Sequence, residues 1–318
     1  MRQLISVKEA AAFLNECDGC LIYTHASPDG DTIGSAVALA LILRKMGKNA
    51  SVFSVDGIPD KLSFIPHEGI LIEKEPERYE DYTLISVDVA GPKMLSNAKN
   101  SYFALSIDHH KVNTIECDKL LVMSNRIACG EIIFMLMNEL NVEIDKDIAT
   151  SLYTAICSDS GGFRYEATKA STYIMAAQCL ETGIDFAEIN RRLFESKTLA
   201  QVALTKTAYK NLELLRDGKF AIVAIRPEEV IECGASETDF DCINSIPREI
   251  AGVLASAVIR QKPDGIKVSL RSNADIDVAE IAKTQNGGGH YHAAGFTLTK
   301  SFDEVLELVR KIFSEIEI

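Results

Sequence analysis

Four short segments carry acids and histidines in a pattern that could do chemistry. They are His25-Ala-Ser-Pro-Asp29-Gly-Asp31, Asp88, Asp108-His109-His110, and Asp159 within Ser158-Asp159-Ser160-Gly161-Gly162-Phe163. His25, Asp29, Asp31, Asp88, His109 and Asp159 together offer two imidazoles and four carboxylates. Such a donor set suits Mn²⁺ or Mg²⁺, whereas thiolates would point to zinc or iron–sulfur. Four carboxylates also balance the charge of two divalent ions. Without metal they would repel one another, and some would take up protons. One Asp shared by two ions would set them ~3.5–4 Å apart, the spacing of two-metal hydrolases. A pair of that kind lowers the pKa of a bridging water and stabilises charge on a phosphoryl oxygen, so the residues point to hydrolysis of a phosphate ester or anhydride. Each piece alone has a plainer reading: an Asp after a strand usually forms a turn or caps a helix, and a histidine pair is usually a loop.

The elements that must position these groups alternate between β-type and helix-type patterns. Strands are expected at 20–24, 50–55, 83–87 and 103–107, and helices at 34–46, 130–140, 147–157 and 171–182. That order implies parallel βαβ units, hence an α/β fold whose sheet carries helices on both faces. Three of the strands end directly before His25, Asp88 and Asp108, and Asp159 follows a helix. In a parallel sheet such strand ends share one edge, the edge at which open α/β sheets bind ligands. Turn formation does not require histidine and does not explain why acids and imidazoles gather there. Further on, 185–216 reads as a charged helical connector. Strand patterns at 220–225, 253–259 and 267–272 follow, then glycines at 287–289 and an amphipathic helix at 303–316.

The chain has 318 residues, which at ~150 per domain suggests two domains. Its formal charge of −13 argues against a passive clamp on long nucleic acid, which needs a basic surface. It does not exclude an enzyme that meets phosphate through metal ions. The longest wholly apolar run, 36–43, is far below the ~18–20 residues of a membrane span. The opening MRQLISVKEA lacks an apolar signal region, so no export is expected and the eight cysteines are expected as reduced thiols in a cytoplasm. Cys17-Asp-Gly-Cys20 opens a strand rather than a helix and has no second pair, so a structural role is expected for it. His67 reads as an exposed turn residue. Phe163-Arg164-Tyr165 could either stack a base or brace its loop. No phosphate-binding P-loop and no dinucleotide fingerprint is present.

HASPDGD, VD, DHH and SDSGGF, in that order and spacing, are similar to the four motifs of the DHH phosphoesterase superfamily. GGGHYHAAGF resembles the glycine-rich motif of the DHH-associated domain that often follows. The resemblance implies a parallel-sheet catalytic domain at 1–185, a helical linker at 186–216 and a smaller mixed α/β substrate-binding domain at 217–318, with the active site in the cleft between them. By the same resemblance His25 and Asp29 hold one metal, Asp31, His109 and Asp159 hold the second, and Asp88 bridges. Asp108 orients a histidine, and His110 faces the bridging hydroxide or the scissile phosphate. Ser160 stands where many relatives carry Thr, an exchange of one hydroxyl for another.

In Lys267-Val-Ser-Leu-Arg271-Ser272 the period of two sends Val268 and Leu270 to one face and Lys267, Ser269 and Arg271 to the other. On its residues alone Arg271 could be a solvated surface group; the resemblance of the SLRS segment to the family implies that Arg271, a natural bidentate partner of phosphate, binds the substrate with Ser269, Gly287, Gly288, Gly289 and His290. The glycines lack side chains where backbone N–H groups could approach an anion. His292 is expected to be structural.

Within the superfamily the resemblance is to the stand-alone bacterial nano-RNase/pAp-phosphatase group. It implies hydrolysis of short oligoribonucleotides and of the 3′-phosphate of adenosine 3′,5′-bisphosphate by a metal-bridging hydroxide. Two Mn²⁺ ions are implied, with Mg²⁺ or Co²⁺ as substitutes. Partners would be short RNA or small phosphorylated nucleotides, with no long duplex and no membrane, and a homodimer is compatible. The alternatives are a cyclic di-AMP or linear dinucleotide (pApA) phosphodiesterase and, from another class, a catalytically dead nucleotide-binding protein. A complete ligand set disfavours the latter. A family II pyrophosphatase lacks the GGGH pattern, and RecJ-type exonucleases are usually longer.

Overall fold

The structure, a computed structural model, describes residues 2–96 and 98–317, and of His290 the backbone alone. The chain divides into two units, one ending at Ser196 and one beginning at Lys197.

The first unit runs β1 (Gln3–Leu4), α1 (Val7–Glu16), β2 (Gly19–Tyr23), α2 (Gly30–Lys45), β3 (Asn49–Phe53), β4 (Leu71–Ile72), β5 (Thr83–Val87), β6 (Tyr102–Asp108), β7 (Glu116–Val122), α3 (Cys129–Glu139), α4 (Lys146–Asp159), α5 (Ala170–Glu181) and α6 (Phe186–Asn190). Its strands form one parallel sheet in the order β1-β7-β6-β5-β2-β3-β4. Strand sequence climbs in one direction from β2 to β4 and in the other from β5 to β7. The reversal falls between β2 and β5, and ligands of open α/β sheets bind at such a point.

β2 is buried along its whole length, as a strand inside a parallel sheet must be. Cys20 and Ile22 face a core built with α1 to α6. Leu21 and Tyr23 face the opposite side, where Tyr23 meets Phe53 and Phe103 edge-on at 5.1 and 5.2 Å. Here the structure differs from the expectation of helices on both faces. Among the described residues, the second face is covered by the 3₁₀ turn Pro92–Leu95 and by side chains such as Tyr79 and Tyr82. The reason is topological. Right-handed crossovers running β5→β6→β7 pass over that face, and the described residues of these links, between Val87 and Tyr102 and between Asp108 and Glu116, form no α-helix.

α2 starts at Gly30, a turn earlier than its apolar pattern suggests, because Asp29 caps it by accepting from the Thr32 N–H at 3.0 Å. Its first eleven residues are buried, as befits a helix pressed on several sides. Close approach to α4 depends on glycine: a Cβ at Gly34 would lie 2.5 Å from the Ser151 carbonyl oxygen and 3.0 Å from Ala155, and one at Gly30 would lie 2.6 Å from Ser158. Alanine is intrinsically the better helix former by about 0.8–1.0 kcal/mol. A backbone oxygen cannot yield as a side chain does, so Gly34→Ala is expected to destabilise by about 1–3 kcal/mol, read from the urea midpoint.

The second unit runs α7 (Leu199–Lys210), β8 (Leu212–Leu215), β9 (Phe220–Ile225), α8 (Pro227–Cys233), β10 (Ala255–Lys262), β11 (Gly265–Ser272), α9 (Val278–Lys283), β12 (Gly288–His290), β13 (Ala293–Leu298) and α10 (Phe302–Glu315). Its mixed sheet has the order β12-β13-β11-β10-β9-β8, with β9 and β10 parallel and the rest antiparallel. The stretch 186–216 is shared: α6 belongs to the first unit, α7 and β8 to the second. No helix among the described residues is long and apolar enough to cross a membrane. The eight cysteines are free.

Candidate metal centre

Each motif reaches the reversal point by its own route. β2 delivers His25, the N-terminus of α2 delivers Asp29 and Asp31, β5 delivers Asp88, β6 delivers Asp108 to His110, and α4 ends on Asp159. Ligand atoms of His25, Asp29 and Asp88 lie within 4.8 Å of one another, and so do those of Asp31, His109 and Asp159. Asp88, His109 and His110 form a third such group, so the six expected ligands and His110 are brought together at one edge.

His109 sits at the middle. Its Nε2 is 3.7 Å from Asp31, 3.4 Å from Asp88 and 3.4 Å from Asp159, while its Nδ1 lies 3.4 Å from the Arg126 carbonyl oxygen. His25 is oriented alike, with Nδ1 2.8 Å from the Ala26 carbonyl oxygen and Nε2 3.6 Å from Asp88. In both, a carbonyl beside Nδ1 leaves Nε2 directed at the carboxylates, the arrangement metal-binding imidazoles need. His110 differs, because its Nδ1 is taken by Asp108 at 2.7 Å.

The carboxylates are fixed from behind. Asp31 is fully buried and accepts from the Ser35 hydroxyl at 2.8 Å and from the N–H groups of Cys129 and Gly130 at 2.6 and 2.9 Å. Those two amides open α3, whose N-cap, Ala128, offers no side-chain bond. Asp31 thus caps α3 from another helix, and the helix dipole favours its charge. Asp108 is buried and accepts from the backbone of His109 and His110 and from Asn113 Nδ2 at 2.7 Å. Thr32 donates to Asp88 Oδ2 at 2.5 Å. Asp88 itself takes φ +60°, a left-handed conformation that Asp tolerates better than most residues and that costs free energy.

Crowding sets the protonation. Burial, with Asp88 and Asp29 nearby, pushes the Asp31 carboxyl up to about 7 against the pull of His109. Burial and the charges of Asp31, Asp29 and Asp88 raise Asp159 well above the carboxylate range. Burial alone would lower His109, but Asp88, Asp31 and Asp159 drive it up to about 10. Its bond to Asp108 raises His110. Burial opposes ionisation of Asp108, and the bond and charge of His110 overcome this and hold its carboxyl below the usual value. Asp88 Oδ1 is buried without a hydrogen-bond partner. An orphaned carboxylate oxygen beside raised acids is what a site shaped for cations looks like before proton and metal are exchanged. Oxygen and imidazole donors in this ratio fit hard or borderline divalent ions.

Sequence reasoning passes over Thr32, Ser35 and Asn113. Their signal is positional: Ser35 stands one helical turn after Asp31, and Asn113 follows His110 in the same loop. Asn113→Ala should remove a fixed partner of Asp108 and cut activity or metal affinity by roughly 10–100-fold, measurable by metal titration of the variant.

In the second unit, Val268 and Leu270 are buried in the core and Lys267, Ser269 and Arg271 lie on the other face, as the period of two requires. The Arg271 Nη1 donates to the Leu270 carbonyl at 2.9 Å. The glycines have a structural reason of their own. A Cβ at Gly287 would lie 2.3 Å from the Gly295 carbonyl oxygen, and one at Gly289, where φ is +147°, would lie 2.4 Å from Ala294 Cα, while Gly288 faces open space. The side chain of His290 lies outside the described residues. His292 Nδ1 is 2.9 Å from the Ser272 hydroxyl, a contact that ties β11 to the β12–β13 turn.

The model of the DHH family N-terminal domain matches residues 20–156, and that of the DHHA1 domain matches 219–315. The chain is 32% identical over 300 residues to the bifunctional oligoribonuclease and PAP phosphatase NrnA of Thermus thermophilus, covering 91% of this chain and 89% of that one. It is 27% identical over 292 residues to the protein of the same name from Bacillus subtilis, covering 90% and 91%. Among solved structures, an exopolyphosphatase-related protein from Bacteroides fragilis shares the fold, with TM-score 0.85, 23% identity, and 96% and 94% coverage. A structure of the exonuclease RecJ bound to manganese shares it more loosely, with TM-score 0.58 and 17% identity over 99% of this chain and 96% of that one. A DHH domain with its acids and histidines gathered at the reversal of the sheet, followed by a DHHA1 domain, places this chain in the DHH phosphoesterase family of metal-dependent hydrolases.

Proposed function

We propose that this chain is a Mn²⁺-dependent phosphodiesterase and phosphatase that hydrolyses short oligoribonucleotides and the 3′-phosphate of adenosine 3′,5′-bisphosphate. One observation carries the reading: Asp88, buried with an unpartnered oxygen, belongs both to the His25/Asp29 group and to the neighbourhood of the Asp31/His109/Asp159 group. In this reading His25, Asp29 and Asp88 hold one ion, and Asp31, His109 and Asp159, with Asp88 shared, hold a second. When bound, two such ions acidify water and neutralise charge on a phosphoryl group. The chain's own residues do the rest. Asp108 fixes a proton on His110 Nδ1, which leaves Nε2 to accept or donate a proton at the reacting phosphate. Arg271, Ser269, the 287–289 glycines and His290 grip the remote phosphate, and limit substrate length. The choice of substrate is supported by the names of the relatives from Thermus thermophilus and Bacillus subtilis. We further assign the chain to the cytoplasm, in keeping with eight free thiols.

The test is a single panel with Mn²⁺: RNA dinucleotides, long RNA, adenosine 3′,5′-bisphosphate, cyclic di-AMP and pyrophosphate. Fast turnover of the dinucleotide and of the bisphosphate is expected. A clear preference for long RNA, cyclic di-AMP or pyrophosphate would overturn the proposal.

A further inference from the structure

The loop that follows Asp159 carries an aromatic group that neither the metal chemistry nor the phosphate grip uses. Gly161 and Gly162 both take positive φ, +59° and +70°, and so does Phe163, at +65°. The loop is held from inside. Phe163 packs between Tyr153, at 6.0 Å, and Tyr173, stacked at 5.3 Å, and the Tyr173 hydroxyl donates to the Phe163 carbonyl. The Ser160 hydroxyl accepts from the Phe163 N–H at 2.9 Å. Phe163 and Tyr173 therefore brace the loop. The Tyr165 backbone shares in that bracing, its N–H donating to the Ser160 carbonyl oxygen at 3.2 Å. The phenol end of its ring lies over Gly161, where a Cβ would come within 2.5 Å of Cζ, and the residue is 48% exposed. On the other side of the glycine pair stands the Phe194 ring, 3.5 Å from where a Gly162 Cβ would be, with the Arg164 guanidinium 5.8 Å above it.

We propose that Tyr165 is the platform on which a nucleobase of the substrate stacks while its phosphate is attacked at the metal centre. The position supports this. Gly161 is two residues from Asp159, whose carboxylate lies 3.4 Å from His109, so the ring lies against the same loop that carries an expected metal ligand. The chemistry supports it too. Every base has a π face, so an aromatic platform binds nucleotides without choosing among them, as an enzyme of short RNA requires. Gly161, having no side chain, gives the ring room to lie against the backbone of the loop. An acidic chain offers little general attraction for nucleotides, which gives a placed stacking contact more weight.

The inference rests on the proposed function, and the experiment separates the two. Steady-state kinetics with Mn²⁺ would compare an RNA dinucleotide with the same phosphodiester lacking the base on the side of the attacked phosphate. The wild-type enzyme, Tyr165→Phe, Tyr165→Leu and Tyr165→Ala would be measured. Stacking predicts that kcat/KM for the base-bearing substrate, relative to the abasic one, falls about tenfold in the Leu and Ala variants, mostly through KM, and is retained in Phe. Leu keeps apolar cover over Gly161 but has no π face. If Leu behaves like the wild type, or if both substrates fall in parallel, Tyr165 only braces the loop and the inference is wrong. If the wild type itself does not cleave the dinucleotide, the proposed function fails instead.

Discussion

Asp88→Asn is expected to reduce turnover far beyond the roughly 10–100-fold that an orienting partner of a metal ligand contributes. Asparagine suits the test because it tolerates the φ of +60° that Asp88 adopts, where alanine would be strained. It also keeps an oxygen for the Thr32 hydroxyl. What it removes is one negative charge from the buried centre of the cluster, and with it a carboxylate placed near both sets of ligands. The Asp88 charge helps to raise Asp31 and Asp159, so its loss relieves repulsion in the metal-free protein. The variant should therefore fold, with a metal-free Tm at least equal to that of the wild type near neutral pH. Near-normal turnover with Mn²⁺ present would remove Asp88 from its assigned role. A collapse of Tm would show that its role is in folding.

Saturating Mn²⁺ should stabilise the protein, and more so as pH rises. Binding to the native state alone contributes about 2.7 kcal/mol at a hundredfold excess over Kd, or roughly 5–10 °C in Tm for a unit of this size. The pH dependence follows from the raised groups. Between its ordinary value of 3.8 and about 7, Asp31 holds more proton in the folded state than in the unfolded one. His109 does the same between 6.5 and about 10. Excess protons on the native state mean that metal-free stability falls as pH rises through both windows. Metal must displace the same protons, so its affinity rises over that range. Melting curves with Mn²⁺ and with chelator should thus diverge from pH 5 to pH 8. A gap that narrows with pH would contradict the crowded-carboxylate account.

The edge that gathers the acids and histidines is legible in the sequence because its information is local. An apolar run ending in His25, Asp88 or Asp108 states both the strand and the place where it stops, and parallel pairing does the rest. The hidden parts depend on contacts between distant segments. β7 mixes charged residues into Glu116–Val122 and lacks the apolar continuity of β2. β13 lies within the small residues of the glycine motif, and its pairing with β11 is visible only in the register of Gly295 against Ser269. Gly34 looks like an ordinary helix residue until Ser151 arrives against it. Asp31 reads as a ligand from its motif, but its capping of α3, ninety-odd residues away, is a tertiary fact. The sparse second face of the sheet was missed for a similar reason: crossover direction depends on strand order, which the chain does not spell out.

The central claim is that two groups of side chains, joined by Asp88, each hold a divalent ion. Its most direct test is the metal content of the protein after equilibrium dialysis against Mn²⁺, measured by elemental analysis together with protein concentration. Two Mn²⁺ per chain are expected in the wild type, with fewer in Asp88→Asn. One ion or none in the wild type at saturating Mn²⁺ would contradict the account.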